Sequence, residues 1–183
     1  MDSKFVEQNT TPKMQAFANQ LKQITNIPLD IHLMVNHPIE YINKLIDLKP
    51  SIITVQHDSL DDLYEISNIL KDNNIKMGIA LNPNDDIYII NDYLDIIDLV
   101  LIMSVFPGKG GQKFIPSIPY KLEHLNKIKK DLNKDFLIEV DGGINDTTIN
   151  EVNNLVDLAV SGSFICCSDD YEEKVNKLKN TLN

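Results

Sequence analysis

The sequence predicts one α/β domain spanning residues 1–183, and three observations carry that reading. Short apolar runs alternate with amphipathic stretches from one end to the other. Each run has the length of a strand and is too short for a helix. The composition does not shift along the chain, and no low-complexity linker interrupts it.

The runs are 29–35 (LDIHLMV), 51–55 (SIITV), 76–81 (KMGIAL), 99–104 (LVLIMS), 136–141 (FLIEVD) and 158–161 (LAVS). Most are rich in β-branched residues and apolar at consecutive positions. Strands buried on both faces of a parallel sheet have that pattern.

The helices are predicted from spacing. Thr11-Pro12 reads as a helix entry, with Thr11 as the cap and Pro12 in the first turn. Met14, Phe17, Leu21 and Ile24 then share a face. A shorter helix fits 38–48, with Pro38 in its first turn. Leu60, Leu63, Ile66 and Leu70 form a second stripe, and Leu122, Leu125, Ile128 and Leu132 a third. A short helix is expected over 146–155 with Asp146 as N-cap, and Tyr171, Val175, Leu178 and Leu182 make the last stripe. Stripes at this spacing are read as core packing and nothing more.

Six strands, with a helix first, fit a doubly wound open sheet or a (β/α) barrel. A barrel needs eight strands, so the count alone favours the open sheet.

The bulk chemistry excludes several roles. A net charge of −10 argues against nonspecific nucleic-acid or anionic-membrane binding. All 17 basic residues are lysines, so a phosphate would be held by backbone N–H groups, hydroxyls or Lys and not by a guanidinium fork. No apolar run nears a membrane span, and no secretory signal is read at the N-terminus. Cys166 and Cys167 are adjacent, which suits neither a disulfide framework nor a C-x-x-C site. A reducing, cytoplasmic setting is the expectation.

In either architecture the chemistry sits at the carboxyl ends of the strands. The first strand carries His32 and Met34 there. The fourth ends in Met103-Ser104 and enters VFPGKGGQKF, with Gly108, Gly110 and Gly111. The fifth ends in Asp141-Gly142-Gly143, and the sixth in Ser161-Gly162-Ser163. Each has a bland alternative. Taken alone, His32 reads first as a hydrogen-bonded core histidine and Met34 and Met103 as core fillers, while Asp141 reads equally as a turn cap and the glycines as ordinary tight turns. The combination is more specific. Glycine-containing turns after both of the last two strands match the usual phosphate site of a barrel, and they shift the expectation to a barrel with a phosphate-bearing ligand.

DIHLMV (30–35), ALNP (80–83), VLIMSVFPGKGGQKFIP (100–116), IEVDGGI (138–144) and SGSFI (161–165) resemble the ribulose-phosphate 3-epimerase family in order and spacing. D-allulose-6-phosphate 3-epimerase has similar motifs. The resemblance implies a phosphate-binding (β/α)8 TIM barrel that interconverts ribulose 5-phosphate and xylulose 5-phosphate, in the pentose phosphate pathway. It implies proton removal and return at C3 by two aspartates. It also implies a divalent metal (Zn, Fe or Mn), held by two histidines and the same aspartates, as Lewis acid. Asp141 matches the acid/base and metal-ligating aspartate, and His32 a metal-ligating histidine that also meets the substrate. Gly108, Lys109, Gly110, Gly111, Gly142, Gly143, Gly162 and Ser163 match phosphate and sugar contacts. Met34 and Met103 match methionines that keep water from the enediolate. Lys109 stands where an aromatic residue is common, and Gln56 replaces a histidine. A homo-oligomer is also implied.

Met1-Asp2-Ser3 falls on the M-D-G of the family's H-x-D-x-M-D-G, with Phe5, Val6 and Asn9 following in similar register. The resemblance thus implies a barrel N-terminally truncated to about six strands, lacking one histidine and one aspartate of the metal set. Met1 is read as an internal methionine of a longer parent or as the start of a remnant, the first being favoured. Weak metal binding, little turnover and an unpaired apolar side of DIHLMV are the expectations. A non-catalytic sugar-phosphate binder is the competing reading. A hexulose-phosphate synthase or decarboxylase relative is a third, against which stands the lack of a D-x-K-x-x-D cluster.

Overall fold

Six parallel-sheet strands are interleaved with α-helices over residues 1–181, which are the residues described in the computed structural model. The chain divides into two compact units. One comprises Met1–Ala80 with Tyr93–Leu99, the other Leu81–Asp92 with Val100–Asn183.

The first unit runs α1 (Thr11–Ile24), β1 (Asp30–Leu33), α2 (Pro38–Leu45), β2 (Ile52–Gln56), α3 (Leu63–Asp72) and β3 (Lys76–Leu81). β1, β2 and β3 are parallel neighbours in chain order, and the register sets His32 against Thr54 and Gln56 against Ala80. All five residues of β2 are buried, as its unbroken apolar pattern requires. α2 begins with Pro38, whose missing N–H costs nothing in a first turn, and it buries Ile42 and Leu45. α3 is capped by Asp62, whose carboxylate accepts from Tyr64 N at 2.9 Å, and it buries Leu63, Ile66 and Leu70.

The second unit runs β4 (Leu99–Met103), α4 (Ile118–Asp131), β5 (Leu137–Asp141), α5 (Ile149–Val152), β6 (Leu158–Val160), α6 (Ser163–Cys166) and α7 (Tyr171–Lys179). β4, β5 and β6 follow in chain order, with β5 and β6 parallel. Leu122 and Leu125 of α4, Ile138 and Val140 of β5 and Ile149 of α5 are buried. α7 is capped by Asp170, which accepts from Glu173 N at 2.8 Å.

Several local expectations need correcting. Thr10, not Thr11, precedes α1, and its side chain makes no cap bond. Met14, Phe17 and Ile24 are exposed, so the α1 stripe is not core; Thr11 and Ala18 are the residues that α1 buries. The cap before α5 is Thr148, because Asp146 lies in the turn that leads to it, and the helix is one turn long. Leu60 lies before α3 and is exposed, as is Leu132 just after α4. β6 leaves Leu158 and Val160 exposed, since as the last strand it has β5 on one side only. Leu182 lies outside the described residues.

The β1 edge also differs from expectation. Ile31, Leu33 and Val35 are buried. Residues 1–4 run along β1: Met1 N donates to His32 O (2.7 Å), Met34 N to Met1 O (2.8 Å), and Ser3 N to Met34 O (3.1 Å). Asp2 and Met34 form a parallel bridge. The Asp2 carboxylate accepts from Lys4 N and Phe5 N, each at 2.9 Å, and so turns the chain away from β1.

Candidate active site

In the first unit the polar centre is His32. Alternation along β1 places Ile31 and Leu33 on one side and His32 on the other, opposite Thr54 of β2. Its Nε2 lies 2.9 Å from Gln56 Nε2. Its Nδ1 is sequestered from water and has no partner, as are Gln56 Oε1 and Thr54 Oγ1. Burial, with the Met1 ammonium as second cause, lowers the His32 pKa to about 3. The imidazole is therefore neutral at pH 7; its Nε2 accepts from the Gln56 amide, so its one proton sits on Nδ1, a buried donor without a partner. Met34 follows two residues later and is partly buried.

The second unit holds Asp141 and the glycines. Met103, buried, ends β4, and Ser104 ties the next turn to β5: its N–H donates to Asp141 O (2.8 Å) and its hydroxyl to Gly142 O (2.6 Å). Asp141 is partly buried at the carboxyl end of β5. Gly142 and Gly143 have φ of 125° and 67°. A Cβ on Gly143 would lie 2.6 Å from Phe114 N, so the DGG turn is pressed against the loop that precedes α4. That loop is pinned by Gln112, whose amide donates to Phe106 O (2.6 Å) and Lys109 O (2.8 Å).

Between these turns lies a cavity of about 530 Å³ whose lining includes Gly111, Lys113, Gly143, Asn145, Glu151 and Ser163. Three sequence-predicted residues, Gly111, Gly143 and Ser163, thus meet on one surface. Gly108, Lys109, Gly110, Asp141, Gly142 and Gly162 do not line it. Lys113 brings positive charge to the cavity, and Glu151 opposes an anion there. Ser104 and Gln112 were missed by sequence reading as parts of the site. Their contacts run to carbonyls that no local pattern reveals.

Residues 1–166 match the sequence pattern of the Ribulose-phosphate 3 epimerase family. The chain belongs to that family. The ribulose-phosphate 3-epimerase of Bacillus subtilis (strain 168) is 33% identical over 181 residues, 98% of this chain and 82% of the relative. That of Helicobacter pylori (strain ATCC 700392 / 26695) is 37% identical over 159 residues, 86% and 73% of the two chains. In fold, this epimerase-family chain is similar to 3-hexulose-6-phosphate synthase from Salmonella typhimurium, with a TM-score of 0.67, 17% identity, and coverage of 94% and 79%. The fold is accordingly α/β of the TIM-barrel type, with six strands among the described residues. The open-sheet alternative is set aside. Family membership makes the chain an epimerase, an isomerase acting on carbohydrates, of the sugar-phosphate class.

The family resemblance carries the expectation of a divalent metal. Among the described residues, however, no three His, Cys, Asp or Glu side chains gather closely enough to hold a metal ion. The lone pair of His32 is already taken by the Gln56 amide, and the described residues do not complete a metal shell around the ring. No helix among them is long and apolar enough to cross a membrane.

Proposed function

We propose that the chain carries the substrate frame of an epimerase that acts at C3 of a ketose phosphate, interconverting D-ribulose 5-phosphate and D-xylulose 5-phosphate in the pentose phosphate pathway. The observation that carries this reading is the DGG turn. It sets Asp141 at the end of β5 and, through Gly143, borders the cavity that Gly111 and Ser163 share. In the absence of arginine, backbone N–H groups of Gly108, Lys109, Gly110, Gly111, Gly142, Gly143 and Gly162, with Ser163, are assigned to the phosphate and sugar. Lys113 adds charge to the same cavity.

The C3–H bond beside a C2 ketone is acidic enough for a carboxylate held against it to remove the proton, leaving an enediolate. Asp141 is assigned to one face of C3. Inversion needs a second group on the opposite face. Met34 and Met103 are assigned to excluding water from the intermediate. His32 and Asp141 are the assigned ligands of a divalent ion (Zn, Fe or Mn), which when bound would offset charge on the enediolate oxygens. The described ligands are too few to route a step through it. Within these 183 residues one proton-transfer group is assigned, so turnover by this chain is expected to be low. The single-domain organisation and a cytoplasmic setting belong to the same proposal.

One observation favours a second reading, a non-catalytic sugar-phosphate binder: no group of three metal-ligating side chains forms among the described residues. The test is incubation of the purified chain with D-ribulose 5-phosphate in deuterated water, with and without added Zn, Fe or Mn. C3 deuteration and xylulose 5-phosphate are followed by NMR, and affinity by calorimetry. Deuterium at C3 supports proton transfer by Asp141 and should vanish in Asp141→Asn. Binding without deuteration supports the binder. Absence of both overturns each reading, and preference for D-allulose 6-phosphate would reassign the substrate to a hexulose phosphate.

A further inference from the structure

The four residues after β3, Asn82-Pro83-Asn84-Asp85, make a turn whose carbonyls converge on one ammonium. Lys121 Nζ, from the first turn of α4, donates to Asn82 O (2.8 Å), Asp85 O (2.7 Å) and Pro83 O (3.3 Å). These three bonds use the full donor capacity of a lysine. The turn is closed on itself as well: the Asp85 carboxylate accepts from Asn82 N at 2.6 Å, and Asp85 N donates to Asn82 O at 3.1 Å. Burial lowers the Lys121 pKa, while Asp85 and Asp86 act in the opposite direction. An ammonium taken from water into a ring of carbonyls has given up hydration for those bonds, and side chains on exposed helix faces do not do so without a geometric reason.

The turn holds one further clue. Asn82 Oδ1 is sequestered from water with no hydrogen-bond partner. A buried amide oxygen left open is costly, and polar atoms of this kind gather where ligands or ordered waters complete them. The carboxyl end of a strand in this fold is where ligands bind.

We infer that Lys121 is a positioning residue: it fixes the turn at 82–85 so that Asn82 is held ready as a contact for the bound sugar phosphate. The clamp itself stands on geometry alone, and its ligand half rests on the sugar-phosphate reading above. Lys121 touches no ligand and acts through Asn82.

The clamp is tested on the full chain without ligand, by amide hydrogen exchange in Lys121→Met. Loss of the three bonds should make exchange at the bonded amides of Asn82 and Asp85 about tenfold faster while the amides of α4 hold their rates. Lys121→Arg, which keeps charge and chain length, should recover part of that protection and guards against a variant that fails to fold. Unchanged exchange at Asn82 and Asp85 in Lys121→Met overturns the clamp. The ligand half is tested by calorimetry with D-ribulose 5-phosphate on Asn82→Ala, Lys121→Met and the pair. If Lys121 acts through Asn82, each single change weakens binding about tenfold or less and the double change no more than the weaker single. Additive losses, or full affinity in Asn82→Ala, overturn the positioning role. A wild-type chain that binds no D-ribulose 5-phosphate overturns the ligand half together with the sugar-phosphate reading, while the exchange result still decides the clamp.

Discussion

Asp98 and Met77 exchange two hydrogen bonds: Asp98 N donates to Met77 O at 2.7 Å, and Met77 N donates to the Asp98 carboxylate at 2.9 Å. Asp157 and Ile138 repeat the arrangement in the second unit, at 2.8 Å for both bonds. In each case an aspartate one residue before a strand locks the start of the preceding strand, and so sets where the carboxyl ends fall. The chain spells the device as D-L-V at 98–100 and D-L-A at 157–159.

Replacing either aspartate by alanine should therefore cost stability beyond an ordinary surface change. The lost bond is charge-assisted but half-solvated, so a cost of about 1 to 2 kcal/mol is expected, with asparagine costing less because its amide oxygen can still accept. Urea denaturation of Asp98→Ala and Asp98→Asn measures both. Equal stability of alanine variant and wild type would rule out the lock.

Those two aspartates also show where sequence reading stopped. Strand β3 was legible to the residue, Lys76–Leu81, because its apolar run is bounded by lysine and by Asn-Pro. The DGG turn was legible because two adjacent glycines after a strand mark a bend that other residues adopt only with strain, and both have positive φ here. The aspartate bonds span 21 and 19 residues, and the Lys121 bonds 36 to 39, so no local periodicity contains them. The α1 stripe failed for the opposite reason. Met14, Phe17 and Ile24 have helical spacing, but spacing states which residues share a face and not what covers it.

His32 should make stability depend on acid. Its native pKa of about 3 lies below the unfolded value of 6.5. Above pH 6.5 both states are neutral and the group has no effect. As pH falls below 6.5 the unfolded chain takes up a proton that the native chain refuses, so stability is lost down to about pH 3. The slope from this residue approaches about 1.4 kcal/mol per pH unit. Urea midpoints between pH 7 and 4, taken with a chelator present, should fall more steeply for the wild type than for His32→Gln. Parallel curves would show that the imidazole is hydrated in the native state.

Gly78 and Thr54 should be coupled. A Cβ on Gly78 would overlap Thr54 Oγ1 and come within 3.0 Å of Leu99 Cδ2. Gly78→Ala is expected to lose about 1 to 3 kcal/mol by overpacking a fully buried strand pair. Thr54→Ala removes the obstructing hydroxyl, which is itself buried without a partner. The double variant should recover most of the loss, a coupling that a thermal-melt cycle reads directly. Additive losses would place the strain elsewhere.

Gly143 offers the sharpest test of the cavity. At φ 67° an alanine is strained by its backbone alone, and its Cβ would sit 2.6 Å from Phe114 N and 3.0 Å from Gln112 O. Both are main-chain atoms, so relief requires moving the loop that Gln112 pins. Gly143→Ala should lose about 1 to 3 kcal/mol of stability, and affinity for inorganic phosphate should fall with it as the walls formed by Gly111 and Ser163 separate. Gly110 supplies the contrast: a Cβ there meets nothing within 4 Å. Gly110→Ala should melt within a degree or so of the wild type, by the same packing argument. If Gly143→Ala melted like Gly110→Ala and bound phosphate undiminished, the DGG turn would be an ordinary turn, and the phosphate assignment would have to leave this cavity.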